Sequence, residues 1–176
     1  ALADICTVTG NLSITLGDGA PPAVALQDLV TIGGTLSVSN TNVLQLTMAA
    51  LSSVGGDLSL SGTTLASSSF PSLASIGGTL LMANQTAVNF PSLETAGNLT
   101  IFPSMDSLSF AALTTVQSWI RIENWVGGGS TLNSVAAPSL ISAGRVDIKG
   151  LQNLTELSMN ALLSVSGDLT IEGNES

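Results

Sequence analysis

Residues 70–83 read FPSLASIGGTLLMA, and residues 90–102 read FPSLETAGNLTIF. Both phrases hold one frame: an apolar anchor, a leucine three positions on, an apolar residue three further, a glycine corner, then apolar-x-apolar. The frame recurs along the chain. Its anchors are Leu26, Met48, Phe70, Phe90, Phe110, Ala137 and Met159, at intervals of 22, 22, 20, 20, 27 and 22 residues. Leu29, Leu51, Leu73, Leu93, Leu113, Leu140 and Leu162 follow them, then Ile32, Val54, Ile76, Ala96, Val116, Ala143 and Val165. The closing pairs are Leu36/Val38, Leu58/Leu60, Leu80/Met82, Leu99/Ile101, Ile120/Ile122, Val146/Ile148 and Leu169/Ile171, with Leu12/Ile14 as an earlier one.

Repetition at this period marks a solenoid. A single coil has no way to cover its own apolar side, and the next coil covers it. The closing pair has the period of a strand, so both members point inward. The spacing of three between the earlier anchors predicts a turn or a one-turn 3₁₀ segment rather than a second strand. The corner glycines, such as Gly33/Gly34, Gly55/Gly56 and Gly77/Gly78, predict positive φ and close backbone packing. Connections of this length between like strands favour parallel pairing. The predicted fold is therefore mainly β: a parallel β-solenoid of leucine-rich-repeat-like coils, one domain over residues 1–176. Eight strands make a sheet roughly 35 Å long. The coil between Ile122 and Val146 is longer than the rest, and its ENWVGGGSTLNSVAAPSL (residues 123–140) is expected to bulge as a loop.

Composition narrows the function. Charged residues are 9% of the chain, against about 25% in an ordinary soluble domain. Three basic residues against twelve acidic ones give a net charge of -9. That argues against nucleic acid and against electrostatic docking on an anionic membrane. No apolar run is long enough to span a bilayer. Ser, Thr, Asn and Gly must therefore make the polar surface. Asn-x-Ser/Thr triplets at Asn11, Asn84, Asn98, Asn153 and Asn174 are candidate glycosylation sites. Together with the low charge they point to a secreted, extracellular protein.

Catalytic chemistry finds little support. The absence of His removes the ordinary imidazole base and the His metal ligand. No metal site and no cofactor is expected. Glu123 and Asp147 are candidate neighbours for a carboxylate pair of the kind a glycosidase needs, but Arg121 and Lys149 account for those acids as ion pairs. No catalytic residue is assigned, and the expectation is a protein that is not an enzyme. The single cysteine, Cys6, has three readings: a buried cap, a residue whose partner lies outside this chain, or the link of a covalent homodimer.

Residues between and beside the inward pairs face outward. In the first half these are small and polar; later they include Leu81, Phe102 and Trp119, with Trp125 nearby. Leu81, Phe102, Trp119, Arg121 and Trp125 form a candidate ligand-binding patch for a cell-wall polysaccharide or a surface protein. The competing reading has the long loop fold back and cover it, using the apolar groups of WV and STLNSV. In-register stacking also sets Arg121 against Asp147, Arg145 against Asp168, and Lys149 between Glu123 and Glu172.

Three phrases carry a family resemblance. CTVTGNLSI (residues 6–14) resembles the opening of the receptor L domain, the ligand-binding module of insulin and EGF receptors. Residues 70–101 look like its central coils, and VQSWIRIENW (residues 116–125) is similar to its late coil. Fungal cell-wall proteins with a GPI anchor share the repeat, and the low charge and Ser/Thr/Gly surface are closest to these. The lone Cys6 departs from the usual paired cysteines of L domains. The resemblance implies a right-handed, β-helix-like solenoid at the cell surface or in the wall, with a structural or wall-organising role. It also implies a domain truncated from a longer chain, anchored through a segment absent here.

Overall fold

The computed structural model describes residues 5–15, 23–39, 45–61, 67–124 and 131–173. Each repeat forms one coil, and the coils stack as a parallel β-solenoid. The inward pairs lie on one long parallel sheet. Its rungs are Thr7–Val8 with Leu12–Thr15, Thr31–Ile32 with Leu36–Ser39, Ser53–Val54 with Leu58–Leu60, and then Ser75–Ala83, Thr95–Phe102, Thr115–Glu123 and Ser142–Lys149. Ser164–Val165 with Leu169–Glu172 form the last rung. The register is the one written in the sequence: Leu12, Leu36, Leu58, Leu80, Leu99, Ile120, Val146 and Leu169 stand in one column.

The turn closing each coil also matches its spacing. The amide of Leu73 donates to the Phe70 carbonyl at 3.3 Å, and Leu93, Leu113, Leu140 and Leu162 do the same to Phe90, Phe110, Ala137 and Met159. The serine inside these turns ties coil to coil: Ser72 Oγ donates to the Ala49 carbonyl and Ser92 Oγ to the Pro71 carbonyl, each at 2.7 Å.

The sequence reading missed a second set of strands just before the anchors. Ala23–Ala25, Gln45–Thr47, Ser67–Ser69 and Val88–Asn89 form a four-stranded parallel sheet. Ser107–Ser109, Ser134–Ala136 and Glu156–Ser158 form a three-stranded one. Leu46, Ser68, Leu108 and Val135 are their buried inward residues. One inward position per strand is too few to show an alternation of period two.

Glycine acts at the corner through its missing side chain and not through φ. Among the described residues, the glycines with positive φ are Gly150 and Gly173, and neither belongs to the Gly-Gly corners. A Cβ on Gly97 would lie 2.6 Å from both the Gly77 and Gly78 carbonyl oxygens. The equivalent atom on Gly55 would intrude on the Gly33 carbonyl, and on Gly77 the Gly55 carbonyl. The corners are where successive backbones come closest.

The core runs the length of the stack. Phe70, Phe90 and Phe110 form a ladder inside it, with ring centroids 5.1 and 6.2 Å apart and planes within 17° of parallel. The outermost coils keep one side uncovered. Leu169 and Ile171 are more than half exposed, although they occupy inward columns.

Phe90 is stacked on both faces. Phe90→Ala should cost about 3–5 kcal/mol, read as a lower urea midpoint. Ser92→Ala, which removes only the hydroxyl bond to the coil below, should cost about 1 kcal/mol.

Candidate binding surface

The outward face of the long sheet is laid out in columns. One holds Leu81, Thr100, Arg121, Asp147 and Thr170 in register. The column at the corner holds Asn11, Thr35, Asp57, Thr79, Asn98 and Trp119, and it stitches the coils together. Side chains supply acceptors there, both in the first coils, where the backbone register is unbroken across the corner, and in the later ones, where it shifts. Asn11 Oδ1 accepts from the Thr35 amide at 2.8 Å, Thr35 Oγ1 from the Asp57 amide at 3.3 Å, and Asp57 Oδ1 from the Thr79 amide at 2.7 Å. Asn98 continues the run. Its Nδ2 donates to Thr79 Oγ1 at 3.1 Å and its Oδ1 accepts from the Trp119 amide at 3.4 Å.

Trp119 is the exposed aromatic among the described residues, at 43%. Its indole Nε1 donates to Thr100 Oγ1 at 3.2 Å, which lays the ring back toward the preceding strand. Leu81 and Phe102 are half-buried, and Arg121 is exposed. Trp125 lies outside the described residues. The covering role given to STLNSV does not hold. Leu132 and Val135 are fully buried in the solenoid core, and Ser134–Ala136 joins the three-stranded sheet.

The ionic layout differs from the expectation in one pair. Arg121 and Asp147 are in register, yet no ion pair forms between them. Arg145, two residues along the same strand and on the same face, takes Asp147 with a fork: Nε to Oδ2 at 2.7 Å and the second nitrogen to Oδ1 at 3.2 Å. Lys149 Nζ lies 3.8 Å from Asp147 Oδ1. The expected Arg145–Asp168 and Lys149–Glu172 pairs are present at 3.5 and 3.0 Å. Glu123 faces Lys149 in register, but Lys149 turns to Glu172 and Asp147 instead. Among the described residues, Arg121 is therefore the cation without a carboxylate partner.

The Asp147 side chain is 7% exposed. Burial pushes its pKa up. Hydrogen bonds from Arg145, the charges of Arg145 and Lys149, and a hydrogen bond from Thr170 outweigh this and hold it below its ordinary value.

The candidate glycosylation sites divide by position. Asn84 and Asn153 are exposed beyond strands, Asn84 at φ 59°. Asn11 is exposed with its oxygen engaged, Asn98 is half-buried with both ends of its amide engaged, and Asn174 lies outside the described residues. Cys6 is exposed, which sets aside its reading as a buried cap. Among the described residues no group of three His, Cys, Asp or Glu side chains is placed to hold a metal ion. No described helix is long and apolar enough to cross a membrane. Comparison with protein-family models, curated proteins and solved structures gave no match in any of the three.

Two outcomes test this surface. In Trp125→Phe, which leaves Trp119 as the one indole, acrylamide should quench emission strongly. Weak quenching would place the ring under cover. Asp147 titrates lower in the folded chain than unfolded, where the ordinary carboxylate value is about 3.9. Its contribution is therefore complete above that value and is lost as pH falls through the folded pKa. The melting temperature of Asp147→Asn should fall less steeply with acid than that of the parent chain. Parallel acid limbs would count against the pairing.

Proposed function

We propose that this chain is a non-enzymatic extracellular glycoprotein of the cell surface or cell wall, with a structural, wall-organising role. The carrying observation is the outer surface of the stack. Its first coils present Asn11, Ser13, Ser37, Thr35, Asp57, Ser59 and Thr79 on a continuous parallel sheet, with hardly any charge and no cleft of convergent acids among the described residues. Such a surface suits hydroxyl-rich surroundings and repeated weak contacts. Asn84 and Asn153 project where a glycan reaches solvent. The resemblance to receptor L-domain repeats, and to the fungal wall proteins that share them, supports the same reading. In that reading a GPI anchor would come from sequence outside residues 1–176.

A second reading has its own observation. Exposed Trp119 beside unpaired Arg121 gives the otherwise hydroxylated face one site of distinct chemistry. Such a site would make the domain a recognition module for a carbohydrate or a protein, through the outward face near Phe102 and Trp119.

Secretion from a eukaryotic host tests the first reading. The secreted chain should lose mass on N-glycosidase treatment, and Asn84→Gln and Asn153→Gln should each remove one glycan. A secreted chain carrying no glycan would overturn the glycoprotein reading.

A further inference from the structure

We infer that Trp119 and Arg121 together form a site for a uronate-containing polysaccharide. The inference rests on the recognition reading above and gives its ligand a chemical class.

The two residues share a face of the strand Thr115–Glu123. Residues two apart on a strand are separated by roughly 7 Å along it, so the indole and the guanidinium lie side by side. Each is available for a different reason. The indole is 43% exposed, and its N–H is already held by Thr100 Oγ1, so the ring stands as a fixed plate with its polar edge satisfied. A plate of this kind offers its face to the C–H side of a sugar ring. Fixing it beforehand reduces the entropy lost on binding.

Arg121 supplies the second half. Arg145 and Lys149, the other two cations of the chain, are occupied by Asp147, Asp168 and Glu172. Arg121 has no carboxylate within ion-pair distance among the described residues, although Asp147 stands beside it in register. Asp147 is withdrawn by the Arg145 fork. The guanidinium is left with its planar donors free, the geometry that takes a carboxylate through two parallel hydrogen bonds.

The surroundings choose between kinds of carboxylate. Toward the N-terminal coils the same face carries the hydroxyls of Thr100, Thr79 and, beyond Leu81, Ser59 and Ser37, on rungs about 4.8 Å apart; Thr100 and Thr79 also accept from Trp119 and Asn98, and Ser59 bonds Ser61. These groups donate to and accept from ring hydroxyls without adding charge. An acidic polypeptide would gain nothing from them beyond the single cation, and it has no ring face to lay on Trp119. A sugar acid uses all three features: ring face on Trp119, carboxylate on Arg121, hydroxyls on the threonines and serines.

The test is a titration of the intact 176-residue chain in its Trp125→Phe form, which makes Trp119 the reporter. The probes are a polygalacturonate oligosaccharide, a neutral β-glucan oligosaccharide of the same length, and a poly-glutamate peptide. Polygalacturonate should move the emission of Trp119 and bind more weakly as salt rises. Arg121→Gln should weaken it about tenfold or more, with Arg121→Lys recovering part of the loss. Trp119→Ala, read by calorimetry, should weaken it to a similar degree. Both side chains are exposed, and unchanged melting curves will show that the variants fold. Equal binding of the neutral glucan, or no effect of Arg121→Gln, would overturn the uronate assignment while leaving a recognition surface. Preference for poly-glutamate would overturn it in favour of an acidic protein partner. Binding of none of the three, with Trp119 strongly quenched by acrylamide, would overturn the uronate site and remove the support for recognition of polysaccharide.

Discussion

The close approach of one coil to the next at the glycine corner governs the rest of the structure. Gly33, Gly55, Gly77 and Gly97 allow backbone to pass where a methyl group would strike a carbonyl. At these rungs the strands on either side of the corner keep their parallel hydrogen bonds, and the Thr115–Glu123 rung does so with Gln117 and Ser118 at its corner. Leu36 then sits over Leu12 and Leu58 over Leu36. The hydrophobic core is in this sense a product of the corner. Each coil contributes a thin layer of apolar side chains, and the layer becomes core when another lies against it.

The same corner shapes the outer face. Just past the corner, Asn11, Thr35, Asp57 and Asn98 accept amides of the neighbouring coil. These side chains are short and polar because they stand in for backbone carbonyls. The column changes character at Trp119, whose amide is the last acceptor-bound one of this run and whose side chain is held over the face by Thr100 Oγ1. The change from stitching polar groups to an aromatic plate occurs within one rung.

Much of this was legible in the sequence. The seven aligned leucines, the inward pairs and the lateral register all follow from the repeat and reappear in the structure. What was not legible has physical reasons. Strands such as Gln45–Thr47 carry a single inward residue, so they leave no periodic trace. In sequence a Gly-Gly pair suggests positive φ, whereas carbonyl crowding from the coil below is what favours glycine here, and that neighbour is some twenty residues away in sequence. The Arg121–Asp147 pair failed because register fixes which residues are adjacent, while two other cations at positions two removed from Asp147 compete for it. Geometry within a strand decided the contest. The availability of Arg121 follows from that competition, and the sequence alone gave no way to rank the competitors.

The direction of the hydrogen bonds has a mechanical meaning. They run from coil to coil, along the axis of the solenoid, in all three sheets. The chain has one cysteine, so no internal disulfide reinforces them. A pull along the axis lies in line with these bonds and opens one layer before the next is loaded. A pull across the axis, along the strands, strains a whole rung in shear. The domain is therefore compliant in one direction and stiff in the other. The way it is tethered would decide how much tension it transmits before a coil peels away.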